Sequence, residues 1–270
     1  YILFFVHNLN AQCITSCNQN VGIFTNNNPE SIGYDNMVSS FHSSLVSEEN
    51  GYRIWGEKML NNGTGHALSP INLNNINYPA LTGQVYHVGL GSNSVDDVQL
   101  IVLTSTGLFA SGVTGTVLST SIKNTAPFSK ITVNGKTDGL PLGITPDSVK
   151  MMFVSFQTII ITTCGGRVFV LSQNTAVRGG GGNAIQWSQI ITNTGLPLSN
   201  IIVARGNSRL GFALSADNKL WTWGENVYRG NGTAASISNF AVEMTLPTTT
   251  PIRMIQATSQ NSSHSYYVID

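Results

Sequence analysis

The chain has 270 residues and a mass of 28.9 kDa, enough for one large domain or two ordinary ones with a substantial core. Thirteen Lys and Arg balance thirteen Asp and Glu, and charged residues are only 10% of the chain, against about 25% in an ordinary soluble protein. Nucleic-acid binding needs clustered basic side chains and is therefore disfavoured, while the 41% hydrophobic fraction argues against intrinsic disorder.

The N-terminal residues 1–11 have the features of a signal-peptide remnant. The apolar run Tyr1–Val6 is too short to span a bilayer, which takes about 20 residues, and Ala11 is a small residue of the kind that precedes cleavage sites. Residues 12–33 would then begin the mature protein, exported to the surface of a bacterial cell or beyond it. Two alternatives stay open: the run is a buried first strand, or a lipid anchor is attached at Cys13.

Three cysteines are too few for a disulfide framework. In an oxidising compartment we expect Cys13 and Cys17 to pair locally, leaving Cys164 free and buried as a small apolar side chain. No metal site is expected, because Cys13 and Cys17 have no second pair of ligands at zinc-like spacing. Four of the histidines lie far apart in the sequence, at His42, His66, His87 and His264.

Pairs of short strands joined by tight turns recur along the chain. They are predicted at Phe41–Val46 with Tyr52–Gly56, Gln99–Thr104 with Gly107–Gly112, Thr158–Thr163 with Arg167–Ser172, and Gly211–Ala216 with Lys219–Gly224. The second strands end at intervals of 56, 60 and 52 residues. The sequence Gly139-Leu-Pro-Leu142 also recurs, 56 residues later, as Gly195-Leu-Pro-Leu198.

A period of this length predicts a β-propeller, because one propeller blade is a four-stranded unit of about 40 to 50 residues. Prolines precede the strand that opens each later unit, at Pro141, Pro197 and Pro251, where a residue without an N–H is tolerated. We therefore predict an all-β fold over residues 34–270, with about four blades and part of a fifth in an incomplete ring.

The segment Trp223–Thr233, after Ala213–Leu220, closely resembles the repeat of the regulator of chromosome condensation (RCC1-like) family. Trp55-Gly56-Glu57 with Asn62-Gly63-Thr64 resembles it too, and His42 and His264 lie where that family often has His. The resemblance implies structural repeat positions at Trp55, Gly56, Gly112, Trp223, Gly224, His42 and His264. The second and third units depart from the pattern, with Ser111 and Leu171 at the Trp position.

Rings of this family usually have seven blades, so the chain would be a fragment of a longer product. An open ring exposes unpaired strand edges, which promote aggregation. We therefore expect the 270-residue chain to self-associate; a sharp monomer peak with cooperative unfolding would contradict this.

No catalytic constellation stands out, and no cofactor is expected. Gly179–Gly182 lacks the Lys and Ser/Thr of a phosphate-binding loop. The acid pairs Glu48-Glu49 and Asp96-Asp97 are more simply solvated turns than calcium sites. Four aromatic side chains are interpreted as core between sheets rather than as a ligand-stacking row, namely Trp55, Trp221, Trp223 and Phe109. Asn62-Gly-Thr and Asn231-Gly-Thr match glycosylation acceptors but coincide with the family turn.

Binding is therefore expected in the loops between strands, for which Gly63–Pro79, Gly112–Asp138 and Val177–Gly195 are the candidates. The leading hypothesis is a non-catalytic, secreted or surface-attached scaffold that binds an unknown protein or glycan. Within the resembled family an inhibitor of extracellular enzymes is a sharper version. A targeting module for a catalytic domain beyond Asp270 is the enzymatic alternative. A guanine-nucleotide exchange factor ranks low, because the signal-like N-terminus and the lack of a basic tail oppose a nuclear role.

Overall fold

A computed structural model describes residues 37–48, 51–60, 65–93, 98–112, 128–133, 135–179, 185–225, 238–258 and 266–270. These residues form an all-β structure with one 3-10 turn at Pro146–Ser148. Blade 1 contains β1 (Met37–Ser40), β2 (Ser43–Glu48), β3 (Gly51–Gly56) and β4 (Ala67–Asn72). Blade 2 contains β5 (Val85–Ser92), β6 (Val98–Thr104), β7 (Gly107–Gly112) and β8 (Ser129–Lys130).

Two further blades and part of another follow in the same order. Blade 3 contains β9 (Val149–Ser155), β10 (Thr158–Thr163), β11 (Val168–Ser172) and β12 (Ser188–Gln189). Blade 4 contains β13 (Ile201–Gly206), β14 (Leu210–Ser215), β15 (Leu220–Gly224) and β16 (Ser238–Met244). Blade 5 is described by β17 (Met254–Ala257) and β18 (Tyr266–Ile269).

Within each blade the strands pair antiparallel with their neighbours in chain order. The first strands lie side by side from blade to blade, β1 against β5, β5 against β9, β9 against β13 and β13 against β17. This is the arrangement of a propeller, in which the first strands surround the axis. Four four-stranded blades and part of a fifth, in an arc that does not close, confirm the predicted fold class.

The predicted strand pairs are confirmed to within two residues, and local sequence explains the turns between them. In blade 4 the turn after Ser215 contains Asn218 with φ of 63°, a left-handed conformation that Asn tolerates. The Asn218 N–H donates to the Ser215 carbonyl at 3.0 Å, which closes the turn. In blade 2 the turn between β6 and β7 instead ends on Gly107, with φ of 128°.

The hydrophobic core lies between neighbouring blades rather than in one central body. One buried cluster joins blades 1 and 2, a second joins blades 2 and 3, and a third joins blades 3, 4 and 5. The middle strands are buried along their whole length, as in Val98–Thr104 and Thr158–Thr163, because both of their faces are covered by adjacent sheets. This explains why their sequences are continuous apolar and β-branched runs.

The recurring Gly-Leu-Pro-Leu sequence does not occupy equivalent positions in the two blades, contrary to its use as a second marker of the period. In the first copy Leu140 is buried and Leu142 is 90% exposed. In the second copy Leu196 is 65% exposed and Leu198 is buried. The two copies therefore place opposite leucines in the core, and their spacing of 56 residues does not reflect structural equivalence.

Cys164 is 3% exposed, as expected, but it is disulfide-bonded. The expectation of a free thiol at this position was therefore wrong. Cys13 and Cys17, which were expected to pair with each other, lie outside the described residues.

His87, on β5, gives a pH-dependent contribution to stability. Its Nε2–H donates to the Val149 carbonyl at 3.1 Å. Burial lowers the pKa of His87 from 6.5 to about 4; the hydrogen bond opposes this shift and the charge of Arg205 adds to it.

Between pH 6.5 and 4 the unfolded chain binds a proton at His87 that the folded chain does not bind. The free energy of unfolding should therefore decrease as the pH is lowered through this window. His87 should account for about 2.5 kcal/mol of the decrease between pH 7 and pH 4.5. We expect His87→Gln to lose that much less stability than the wild type, measured by urea unfolding at both pH values. An equal loss in the two proteins would contradict the prediction.

Candidate functional site

Connections between strands alternate between two faces of the propeller, because neighbouring strands are antiparallel. We call one the loop face. Its described parts are the turns between β1 and β2, β9 and β10, and β13 and β14, and the described residues between the third and fourth strands, 57–60, 65–66, 128, 173–179, 185–187 and 225. We call the opposite one the connector face. It carries the connections from each blade to the next, residues 73–84, 131–148, 190–200 and 245–253.

Each of the three predicted binding loops contains an outer strand and is therefore not one loop. Gly63–Pro79 contains β4, Gly112–Asp138 contains β8, and Val177–Gly195 contains β12. Each segment runs from the loop face, through the outer strand, to the connector face. These outer strands could not be recognised from the sequence, since β8 and β12 are two residues long and β4 contains a proline.

A pair of polar side chains recurs at one structural position on the loop face. It joins the residue just before the second strand to the residue just after the third. In blade 1 His42 Nδ1 lies 3.2 Å from Glu57 Oε2. In blade 4 Arg209 Nη1 donates to both carboxylate oxygens of Glu225, at 3.0 and 2.8 Å.

Blade 3 has an uncharged version of the same pair, with Gln157 Nε2 donating to Gln173 Oε1 at 3.5 Å. In all three blades the backbone N–H of the second residue donates to the carbonyl of the first, at 3.0 to 3.2 Å, in Glu57 to His42, Gln173 to Gln157 and Glu225 to Arg209. The pair therefore fixes the point where each long connection leaves its sheet.

In blades 1, 2 and 4 the third strand ends on a glycine, where the backbone at the start of the second strand lies close by. Gly56, Gly112 and Gly224 have φ of 109°, 117° and 108°. A Cβ at Gly224 would lie 2.3 Å from the Arg209 carbonyl oxygen. Blade 3 has Ser172 at this position, and its Oγ lies 2.7 Å from that of Thr158. The backbone of blade 3 therefore accommodates a side chain there.

The junction between blades 3 and 4 fixes the start of the connection 173–187. Trp223 Nε1 donates to the Val177 carbonyl at 2.8 Å, and Asn174 Nδ2 donates to Glu225 Oε1 at 3.5 Å. Arg178 is 5% exposed and donates to the carbonyls of residues 172 and 173 at 2.6 and 3.1 Å. Burial lowers the pKa of Arg178. The described part of this connection is thus anchored to both blades.

The structure places the aromatic residues in or against the core. Trp223 and Phe109 are buried, at 0% and 4% exposure. Trp55 and Trp221 are half-buried and pack against the core clusters. Several other positions lie outside the described residues, namely Glu49, Asn62, Asp96, Asp97, Gly180–Gly182, Asn231 and His264.

In the part of the chain that the structure describes, no three His, Cys, Asp or Glu side chains come together as a metal site. No helix in that part is long and apolar enough to cross a membrane. On the loop face of the described blades, the pairs in blades 1, 3 and 4 hold charged and hydrogen-bonding groups at fixed positions.

No protein-family model and no curated protein matches the sequence. Among solved structures, human WBSCR16 is similar with a TM-score of 0.57 and 14% identity over 80% of this chain. Prp20p of Saccharomyces cerevisiae, described with its binding properties toward Gsp1p and histones, is similar with a TM-score of 0.52 and 14% identity over 84% of this chain.

The chain spans 55% of the length of each of these two proteins. An identity of 14% shows the fold alone. Prp20p is the yeast RCC1 protein. The chain therefore has the β-propeller fold of RCC1, which confirms the resemblance that the Trp-Gly-Glu repeat indicated.

Proposed function

We propose that this chain is the propeller of an exported, non-catalytic scaffold that binds a protein partner through its loop face. The observation that supports this most directly is the pair that recurs in blades 1, 3 and 4. Rigid sheets hold these side chains, while His42 and Arg209 remain 67% and 42% exposed. Fixed, partly exposed hydrogen-bonding groups beside variable connections are typical of binding surfaces.

Export is supported by the disulfide at Cys164, since disulfides persist in oxidising compartments and are rare in the cytosol. A sparsely charged chain rich in Asn, Ser and Thr is in keeping with the same location. The sharper form of the proposal is an inhibitor of an extracellular enzyme. In that case the partner would be the folded surface of the enzyme. The Gsp1p and histone binding of Prp20p favours a protein ligand over a glycan.

Charge reversal on the two faces tests the proposal. Arg209→Glu changes the loop face, and Lys219→Glu is a matched control, because Lys219 is 45% exposed in the turn between β14 and β15 on the connector face. His42→Glu is a second loop-face variant, in case Arg209→Glu is unstable. Partners are identified by crosslinking and affinity purification from the source cells, and folding is checked by melting temperature.

We expect one protein to be enriched with the wild type and with Lys219→Glu. Its enrichment should fall at least tenfold, or about 1.4 kcal/mol in affinity, in one or both loop-face variants. Enrichment that is insensitive to both loop-face variants would contradict the binding face. A specific turnover by the intact protein would contradict the non-catalytic role.

A further inference from the structure

A pocket of about 300 Å³ opens on the connector face between blades 1 and 2. Its volume is at the lower end of the range for small-molecule sites, enough for one sugar ring. Among the described residues, eight from three segments of the chain line it, namely Gly51, Leu73, Asn74, Asn75, Leu81, Gly83, Gln84 and Val85. The pocket is on the opposite side of the propeller from the loop face, so it is independent of the proposed protein-binding function.

The lining combines an apolar floor with neutral polar groups. Leu73 and Leu81 are 5% and 2% exposed, and Val85 is half-buried beside them. The side-chain amides of Asn75 and Gln84 are exposed and have no hydrogen bond to any described residue. Both amides are therefore available to donate to a ligand and to accept from it.

The pocket is built on rigid backbone. Asn74 Oδ1 accepts from the N–H groups of Ile76 and Asn77, at 3.1 and 3.0 Å, which fixes the turn that carries Asn75. On the other wall the Gln84 N–H donates to Ser105 Oγ at 3.0 Å, and the Ser105 N–H donates to the Gln84 carbonyl at 2.8 Å. Little ordering is therefore needed when a ligand binds.

The same connection is anchored to the core between blades 1 and 2 by Tyr78, which is 1% exposed. Its hydroxyl donates to the Met59 carbonyl, and its ring packs edge to face on Phe128 with centroids 5.3 Å apart. Ile76, two residues from Tyr78 in this connection, is 82% exposed. The connection therefore presents an exposed apolar side chain next to Asn75 in the sequence.

We propose that this pocket binds one neutral sugar unit. A sugar ring has an apolar C–H face, which suits the leucine floor, and hydroxyls that both donate and accept, which suit the two amides. None of the eight described lining residues carries a charge, so a charged ligand would lose hydration without an ion pair to any of them.

Titration of the 270-residue chain with methyl glycosides of glucose, galactose, mannose and N-acetylglucosamine tests the proposal, followed by NMR of backbone amides. Glucuronate is the charged counterpart. Gln84→Ala and Asn75→Ala each remove one amide. Asn193→Ala is the control, because it removes an exposed amide from the equivalent connection between blades 3 and 4.

We expect at least one neutral glycoside to shift amides around residues 73–85 saturably, with millimolar affinity, and glucuronate to bind more weakly. Each pocket variant should weaken binding about tenfold, and Asn193→Ala should leave it unchanged. The proposal is overturned if no glycoside shifts these amides, if Asn193→Ala weakens binding as much, or if glucuronate binds equally well. The loop-face experiment keeps its meaning in any of these cases.

Discussion

Gly224→Ala is expected to lower the free energy of unfolding by about 3 kcal/mol. Gly224 ends β15 with φ of 108°, a conformation that L-residues rarely adopt. The new Cβ would also lie 2.3 Å from the Arg209 carbonyl oxygen and 2.9 Å from the Leu210 Cα, both of which are backbone atoms. The backbone must therefore move at the point where Arg209 pairs with Glu225. Urea denaturation measures the loss.

Two controls separate the contributions to this loss. Gly195→Ala has φ of 79° but no atom within 4 Å of the new Cβ, so it should cost only the backbone strain, about 1 kcal/mol. Ser172→Ala, at the equivalent position of blade 3, loses hydroxyl hydrogen bonds to Thr158 and to the Asn174 N–H and should also cost about 1 kcal/mol. A loss in Gly224→Ala no larger than in Gly195→Ala would show that the close contact does not matter.

The middle strands of each blade were predictable because burial on both faces requires continuous apolar and β-branched runs in the sequence. Thr158–Thr163 is β-branched throughout, and its partner strand Val168–Ser172 begins just beyond a short turn that contains Gly166. The outer strands were not predictable. Ser129–Lys130 and Ser188–Gln189 are short and partly exposed, so neither alternation nor hydrophobicity distinguishes them from loop.

The recurring pair on the loop face escaped sequence analysis for a different reason. Its position is constant, but its chemistry changes from an acid paired with His or Arg to two glutamines. What is repeated is a backbone hydrogen bond, which any donor residue except proline can make. The pocket on the connector face was equally hidden, because its two amides, Asn75 and Gln84, have no motif and come together only when the connection folds over Leu73.

Trp223→Ala is expected to lower the free energy of unfolding, measured by urea denaturation, by about 4 kcal/mol. This is the largest effect of any single substitution considered for this chain. Trp223 is fully buried in the cluster that joins blades 3, 4 and 5, and its Nε1 donates to the Val177 carbonyl at 2.8 Å. Truncation would leave a cavity and an unpaired carbonyl. Trp221→Ala, two residues away on the same strand, removes a half-buried ring and should cost about half as much.

Gly211, which pairs with Trp223 across the two strands, provides a further test of this prediction. A Cβ at Gly211 would lie 2.2 Å from the Trp223 ring, so Gly211→Ala alone should be destabilising. In the Trp223→Ala background the same methyl group enters the cavity and should cost little or become stabilising. The two substitutions should therefore be coupled by at least about 1 kcal/mol in a double-mutant cycle. Additive effects would mean that Trp223 does not fill the space above Gly211, and that blades 3 and 4 are packed together by other contacts.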